Sequence, residues 1–130
     1  MSHFSTIQTR IKDRPALLEA LELLGHTIQE DQELRVEGSH GVDHPTVNAE
    51  VAIGTDIGFR WNAKTETYQL VTDLDTWKHS VPPERFVDKV TQQYARMVIY
   101  STVKDMGLEV AEEWEMDDNS IEITVTDWNS

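Results

Sequence analysis

The chain has 130 residues, 38% of them hydrophobic and 27% charged, with no cysteine and a formal charge of −13. That length supports a single domain, 1–130, with a proper core. The composition excludes disorder, disulfides, thiolate catalysis, iron–sulfur ligation and cysteine-based zinc sites. No apolar run reaches the roughly eighteen residues of a membrane span, and residues 1–5 lack the basic and apolar regions of a secretory signal. The expectation is therefore no membrane insertion and a cytoplasmic or plastid-stromal location.

In chain order, residues 3–11 alternate with β-branched positions and predict a strand. Asp13 then reads as a helix N-cap with Pro15 in the first turn. Leu17, Leu18, Leu21 and Leu24 follow at helical spacing and Gly25 supplies a left-handed stop, so the first helix is 14–24. Short strands follow at 33–37 and 47–53, separated by a loop at 38–46 rich in Gly, Ser, His and Pro. Residues 56–62 form a strand with two chemically different faces. Ile57, Phe59 and Trp61 make a core wall; Asp56, Gly58, Arg60 and Asn62 make a polar strip with a glycine gap. A turn at 62–67 returns the chain through 68–72. Trp77 anchors the connection 73–83, and Pro82-Pro83-Glu84 opens a long helix, 84–106, ended by Gly107. Its apolar stripe is wide enough to be covered on more than one side. Strands at 108–116 and 120–128, joined by Asp117-Asp118-Asn119, complete the chain.

Helices separated by runs of strands argue for an α+β fold. The expectation is one antiparallel sheet of six or seven strands with two helices packed on one face.

Charge is distributed unevenly. Residues 1–104 carry a net −4, whereas 105–130 hold nine acidic residues and no Lys or Arg. Such a surface repels phosphate backbones and anionic membranes, which disfavours nucleic acid as a partner. The acidic end reads as a solubilising surface or as a docking surface for a basic partner. Glu112, Glu113 and Glu115 are expected to form a charged outer edge that discourages aggregation.

His40, Asp43 and His44 form the nearest thing to a metal-ligand cluster. They lie in a loop broken by Gly38, Gly41 and Pro45, where i, i+4 spacing loses its helical advantage, and a solvated polar turn explains them. No metal or other cofactor is expected. His26 follows a helix stop, where a protonated imidazole complements the helix dipole; His79 could line a cleft. No nucleophile elbow, phosphate loop or dinucleotide fingerprint is present. The aromatic residues read first as core and rim packing.

Residues 1–7 (Met-Ser-His-Phe-Ser-Thr-Ile), 56–62 (Asp-Ile-Gly-Phe-Arg-Trp-Asn), 68–71 (Tyr-Gln-Leu-Val) and the stretch from Phe86 through Lys89-Val90-Thr91-Gln92-Gln93-Tyr94-Ala95 resemble an uncharacterised, conserved-hypothetical family of cyanobacteria and algal plastids. The resemblance spans nearly the whole chain. It implies a phototroph and carries no catalytic residue with it. The loop 38–46 and the strongly negative C-terminal strands depart from the family pattern.

Together these readings point to a small acidic protein that binds another protein without catalysis, as an assembly or regulatory factor. Asp56, Arg60, Asn62, Trp77 and Trp128 are the candidate contact residues. One rival reading is a small-molecule or metal-dependent enzyme using His40, Asp43, His44 and His79. The other is a self-associating structural protein, a homodimer through a sheet edge or Trp128.

Overall fold

The computed structural model describes residues 4–35, 46–54, 56–74, 77, 79–116 and 120–127. The fold is α+β, with two helices and seven strands. Five strands form an antiparallel sheet: β1 (Ser5–Gln8), β2 (Ile28–Arg35), β3 (Thr46–Ile53), β4 (Ile57–Asn62) and β5 (Thr67–Thr72), in the spatial order β1-β5-β4-β3-β2. Helices α1 (Arg14–Leu23) and α2 (Pro83–Asp105) cover one face of it. The last two strands, β6 (Leu108–Glu115) and β7 (Ile121–Asp127), pair only with each other and pack against α2. The expected single sheet of six or seven strands is thus divided five and two, the hairpin packing on α2 rather than extending the main sheet.

The main core follows from alternation. Ile57 and Phe59 of β4, Val51 of β3 and Leu70 of β5 are at most 1% exposed. They meet Leu17 and Leu21 of α1 and Phe86, Val87 and Val90 of α2. Trp61 shares their face by register, opposite Tyr68, yet it is 38% exposed. The buried cluster stops short of it, and its ring packs edge-to-face with Tyr68 at 5.1 Å. Trp61 is rim, not core wall.

On the opposite face Arg60 is exposed, whereas the glycine position of the polar strip is covered. Gly58 is buried, in register with Ala52 on one side and Val71 on the other. Ala49 and Ala52 are nearly fully buried and pack against Phe4. Beyond Phe59 the β3–β4 ladder ends, and the Glu50 carboxylate takes over by accepting the Trp61 N–H at 2.7 Å.

Both helices begin and end as their sequences dictate. The Asp13 carboxylate accepts the Ala16 N–H at 3.1 Å, and Gly25 at φ 91° closes α1. Gly107 at φ 73° ends α2. The small side chains of Ala16 and Ala20 admit Met97, so the helices pack closely. The Tyr94 hydroxyl of α2 then accepts the backbone N–H groups of Lys12 and Asp13 at 3.0 and 2.9 Å. Arg14 pins the start of α1 to the sheet through Glu30 at 3.0 Å and the Glu50 carbonyl at 2.9 Å. Strand β2 begins five residues earlier than the reading of 33–37. Its run Gln-Glu-Asp-Gln-Glu shows no apolar alternation because β2 is an edge strand, where charge blunts pairing with other chains.

Candidate functional site

Asp56 and Trp77 come together around His79. The His79 ring nitrogen Nε2 lies 3.1 Å from Asp56 Oδ2, and its ring meets Trp77 edge-on at 4.6 Å. Trp77 also packs on Phe86 at 5.8 Å and donates its indole N–H to the Val81 carbonyl at 2.8 Å. The expected anchor of this connection is therefore present. Behind it a cavity of about 230 Å³ is lined by residues including His26, Ser80, Val81 and Phe86. His26 packs edge-on against Phe86 at 5.5 Å. Burial, and then the charge of His79, push its pKa below 6.5. That corrects the expectation of a protonated, dipole-complementing imidazole: this ring is held towards its neutral form.

Arg60 and Asn62 lie further along β4. Arg60 is exposed and forms no ion pair among the described residues. Asn62 is engaged in its turn, its side-chain oxygen accepting the Lys64 N–H at 2.9 Å and its carbonyl the Glu66 N–H at 2.8 Å. The candidate contact residues thus fall into two separate places. His40, Asp43, His44 and Trp128 lie outside the described residues. Among the described residues, no group of three or more His, Asp or Glu side chains is placed to hold a metal ion.

The hairpin presents a different surface. Val110 opposes Val125 and Glu113 opposes Ile123, with a bulge between Val110 and Glu112 that shifts the phase of β6. Leu108, Val110, Glu113, Ile121 and Ile123 are half-buried, facing α2. Glu113 therefore points inward rather than lying on a charged outer edge. It is held by an ion pair with Arg96 and by the Tyr100 hydroxyl, both on α2. That hydrogen bond, then burial, raise the phenol's pKa and keep it protonated. Gln92 of α2 reaches Glu115 at 3.5 Å. Between α2 and β7 runs a groove of about 450 Å³, lined by residues including Asp88, Ala95, Ile99 and Ile121.

The outward face of the hairpin carries Glu109, Glu112, Trp114, Glu122, Thr124 and Thr126, all exposed. Trp114 is 58% exposed, stands opposite Glu122 and donates its indole N–H to Glu112 Oε2 at 3.2 Å. Glu109, Glu112 and Glu122 have no ion-pair partner among the described residues. Sequence reading passed over Trp114 as one of several aromatics. Alternation alone sets Trp114 on the face of Leu108 and Val110; only the bulge between Val110 and Glu112 turns it outward, opposite Glu122, and no sequence signal marks that bulge.

Residues 20–124 match the family described as "Protein of unknown function (DUF1257)". The chain belongs to this family. It is similar to the "Uncharacterized protein ycf35" of Pyropia yezoensis, at 34% identity over 99% of both chains. The ycf35 proteins of Guillardia theta and Cyanophora paradoxa are 30% and 31% identical, each over 98% of both chains. These relatives establish an uncharacterised, conserved plastid family, as the resemblance implied. No solved structure matches significantly. The DUF1257 match runs from within α1 into β7, so β6, the groove and the Trp77–His79 cluster lie within it, while β1 and the last three residues of β7 lie outside. No helix among the described residues is long and apolar enough to cross a membrane.

Proposed function

We propose that this DUF1257 protein is a non-catalytic protein-binding factor, acting in assembly or regulation in the stroma or cytoplasm of a phototroph. The observation that carries the reading is Trp114, a large indole left 58% exposed on the outward strand face, which no described element covers. Exposed tryptophans set in a polar surround are the side chains most often found anchoring protein interfaces. Asp56, Trp77 and Arg60 supply further contacts on the main body in this reading; Trp128, outside the described residues, is a further candidate contact. Affinity capture from the native cell, with the wild-type chain and Trp114→Ala side by side, tests it. A stoichiometric partner lost on substitution is expected; an identical captured set for both chains overturns the role of this face. Light scattering on the same preparations shows whether the partner is a second copy.

A second reading, a small-molecule enzyme, rests on the Asp56–His79 pair close to the cavity behind Phe86. A carboxylate orienting an imidazole is an arrangement used in acid–base catalysis. Screening for ligands by thermal shift against the wild-type chain and His79→Ala decides it: a stabilising ligand that fails to stabilise the variant favours the enzyme.

A further inference from the structure

We infer that the partner of the hairpin face is a cationic segment, an Arg- or Lys-bearing stretch of polypeptide that seats a guanidinium or ammonium on Trp114 between Glu112 and Glu122. The inference rests on the docking reading above and supplies the chemistry of its occupant. Three observations converge on it. Among the described residues of β6 and β7, Trp114 is the one large apolar side chain on the outward face, and it is exposed. Its register partner across the hairpin is Glu122 and its indole N–H is engaged by Glu112, so two acidic residues neighbour it on this face. The segment 105–130 contains no Lys or Arg to neutralise them.

An indole attracts a cation through the negative face of its π system, and Arg is the commonest cation in such contacts. Carboxylates beside the ring add charge-assisted hydrogen bonds to the same guanidinium. The inward face makes the contrast. There Glu113 already has its own guanidinium, from Arg96, and the strand is held to α2. On the outward face the carboxylates lack that partner among the described residues, and their mutual repulsion falls when a cation arrives from another chain. An acidic or nucleic-acid partner would meet the opposite energetics.

The test uses the full chain and a nonapeptide of alternating Arg and Gly, with binding followed on the Trp114 indole N–H resonance and by calorimetry. That resonance is expected to shift, and affinity to fall as salt is raised, since exposed charges are screened over about 8–10 Å at ordinary ionic strength. Trp114→Ala is expected to weaken binding at least about tenfold, equivalent to about 1.4 kcal/mol, although it removes no charge. The double change Glu112→Gln with Glu122→Gln is expected to do the same. Glu19→Gln with Glu22→Gln removes the same charge from exposed positions of α1 and should leave affinity within about twofold of wild type. Equal losses from the two pairs, or binding indifferent to Trp114→Ala, overturns the inference and shows only general attraction to an acidic protein. If the natural partner is lost with Trp114→Ala but the glutamine pair at 112 and 122 leaves it bound, the docking reading stands and the cationic occupant falls.

Discussion

The five-stranded body and the β6–β7 hairpin are built from the same alternation rule and end as opposite kinds of object. In the body, the central inward positions are apolar and packed against the helices, and Val51, Phe59 and Leu70 have no exposed surface at all. In the hairpin, the inward row mixes Ile121 and Ile123 with Glu113 and Glu115, and no residue of either strand is fully buried among those described. The body is held by the hydrophobic effect, which scales with buried area. The hairpin is held to α2 by a few directional contacts around Arg96, Tyr100 and Glu113. A two-stranded ribbon has little stability of its own, so those contacts decide whether it stays docked.

The largest effect that would break this comparison comes from the body. Phe59→Ala empties the centre of the main cluster and is expected to cost about 3–5 kcal/mol, the usual range for a buried aromatic. Urea unfolding measures it. A loss near 1 kcal/mol would show that the sheet face is less tightly covered than the complete burial of Phe59 implies.

Next comes the tie between the two regions. Arg96→Met leaves the half-buried Glu113 without its ion partner and is expected to cost about 1–3 kcal/mol; Tyr100→Phe removes one hydrogen bond, for about 1 kcal/mol. Hydrogen exchange should report both losses as faster exchange at 108–115 and 121–127, with β4 and β5 unchanged. Uniform acceleration across all strands would mean that body and hairpin open as one unit, and the contrast drawn above would fail.

How much of this was legible beforehand follows the same division. The body could be read from sequence because apolar period, N-cap and glycine stops agreed at α1, β4 and β5. Its errors lay at the edges: β2 is polar along most of its length, and Trp61 sits where the cluster ends. The hairpin's separation was not read. A bulge at Val110–Glu112 shifts the phase of β6, and Glu113 faces inward only because Arg96, 17 residues earlier in the chain, is there to receive it. Asp56 and Trp77 were singled out on different grounds and do meet through His79, whereas Asn62 is occupied by its turn. A local pattern carries burial well and carries long-range polar pairing poorly.

A smaller effect concerns acid. The His26 imidazole is held below its ordinary pKa by burial and then by His79. Below about pH 6.5 the unfolded chain therefore binds more protons than the folded one, and stability falls as pH drops; above it, both forms are neutral and the contribution vanishes. Comparing urea midpoints of the wild type and His26→Gln between pH 5 and 7.5 isolates this component. The variant should lose less stability on acidification. Identical pH profiles would mean that the ring titrates freely, in contact with solvent.

The smallest effect on the fold is expected from the residue given the largest role in binding. Trp114→Ala removes an indole that is 58% exposed and hydrogen-bonded only to the exposed Glu112 among the described residues. Surface changes of this kind stay within about 0.5 kcal/mol. A hydrophobic side chain selected for folding is one the fold misses when it is gone, as it would miss Phe59. Urea unfolding of Trp114→Ala separates these two uses of an aromatic. A midpoint unchanged from wild type leaves binding as the use for this indole. A loss of 2 kcal/mol or more, on the scale of burying a whole apolar side chain (about 1.5–3 kcal/mol), would make Trp114 part of the structure, and the docking face would have lost its anchor.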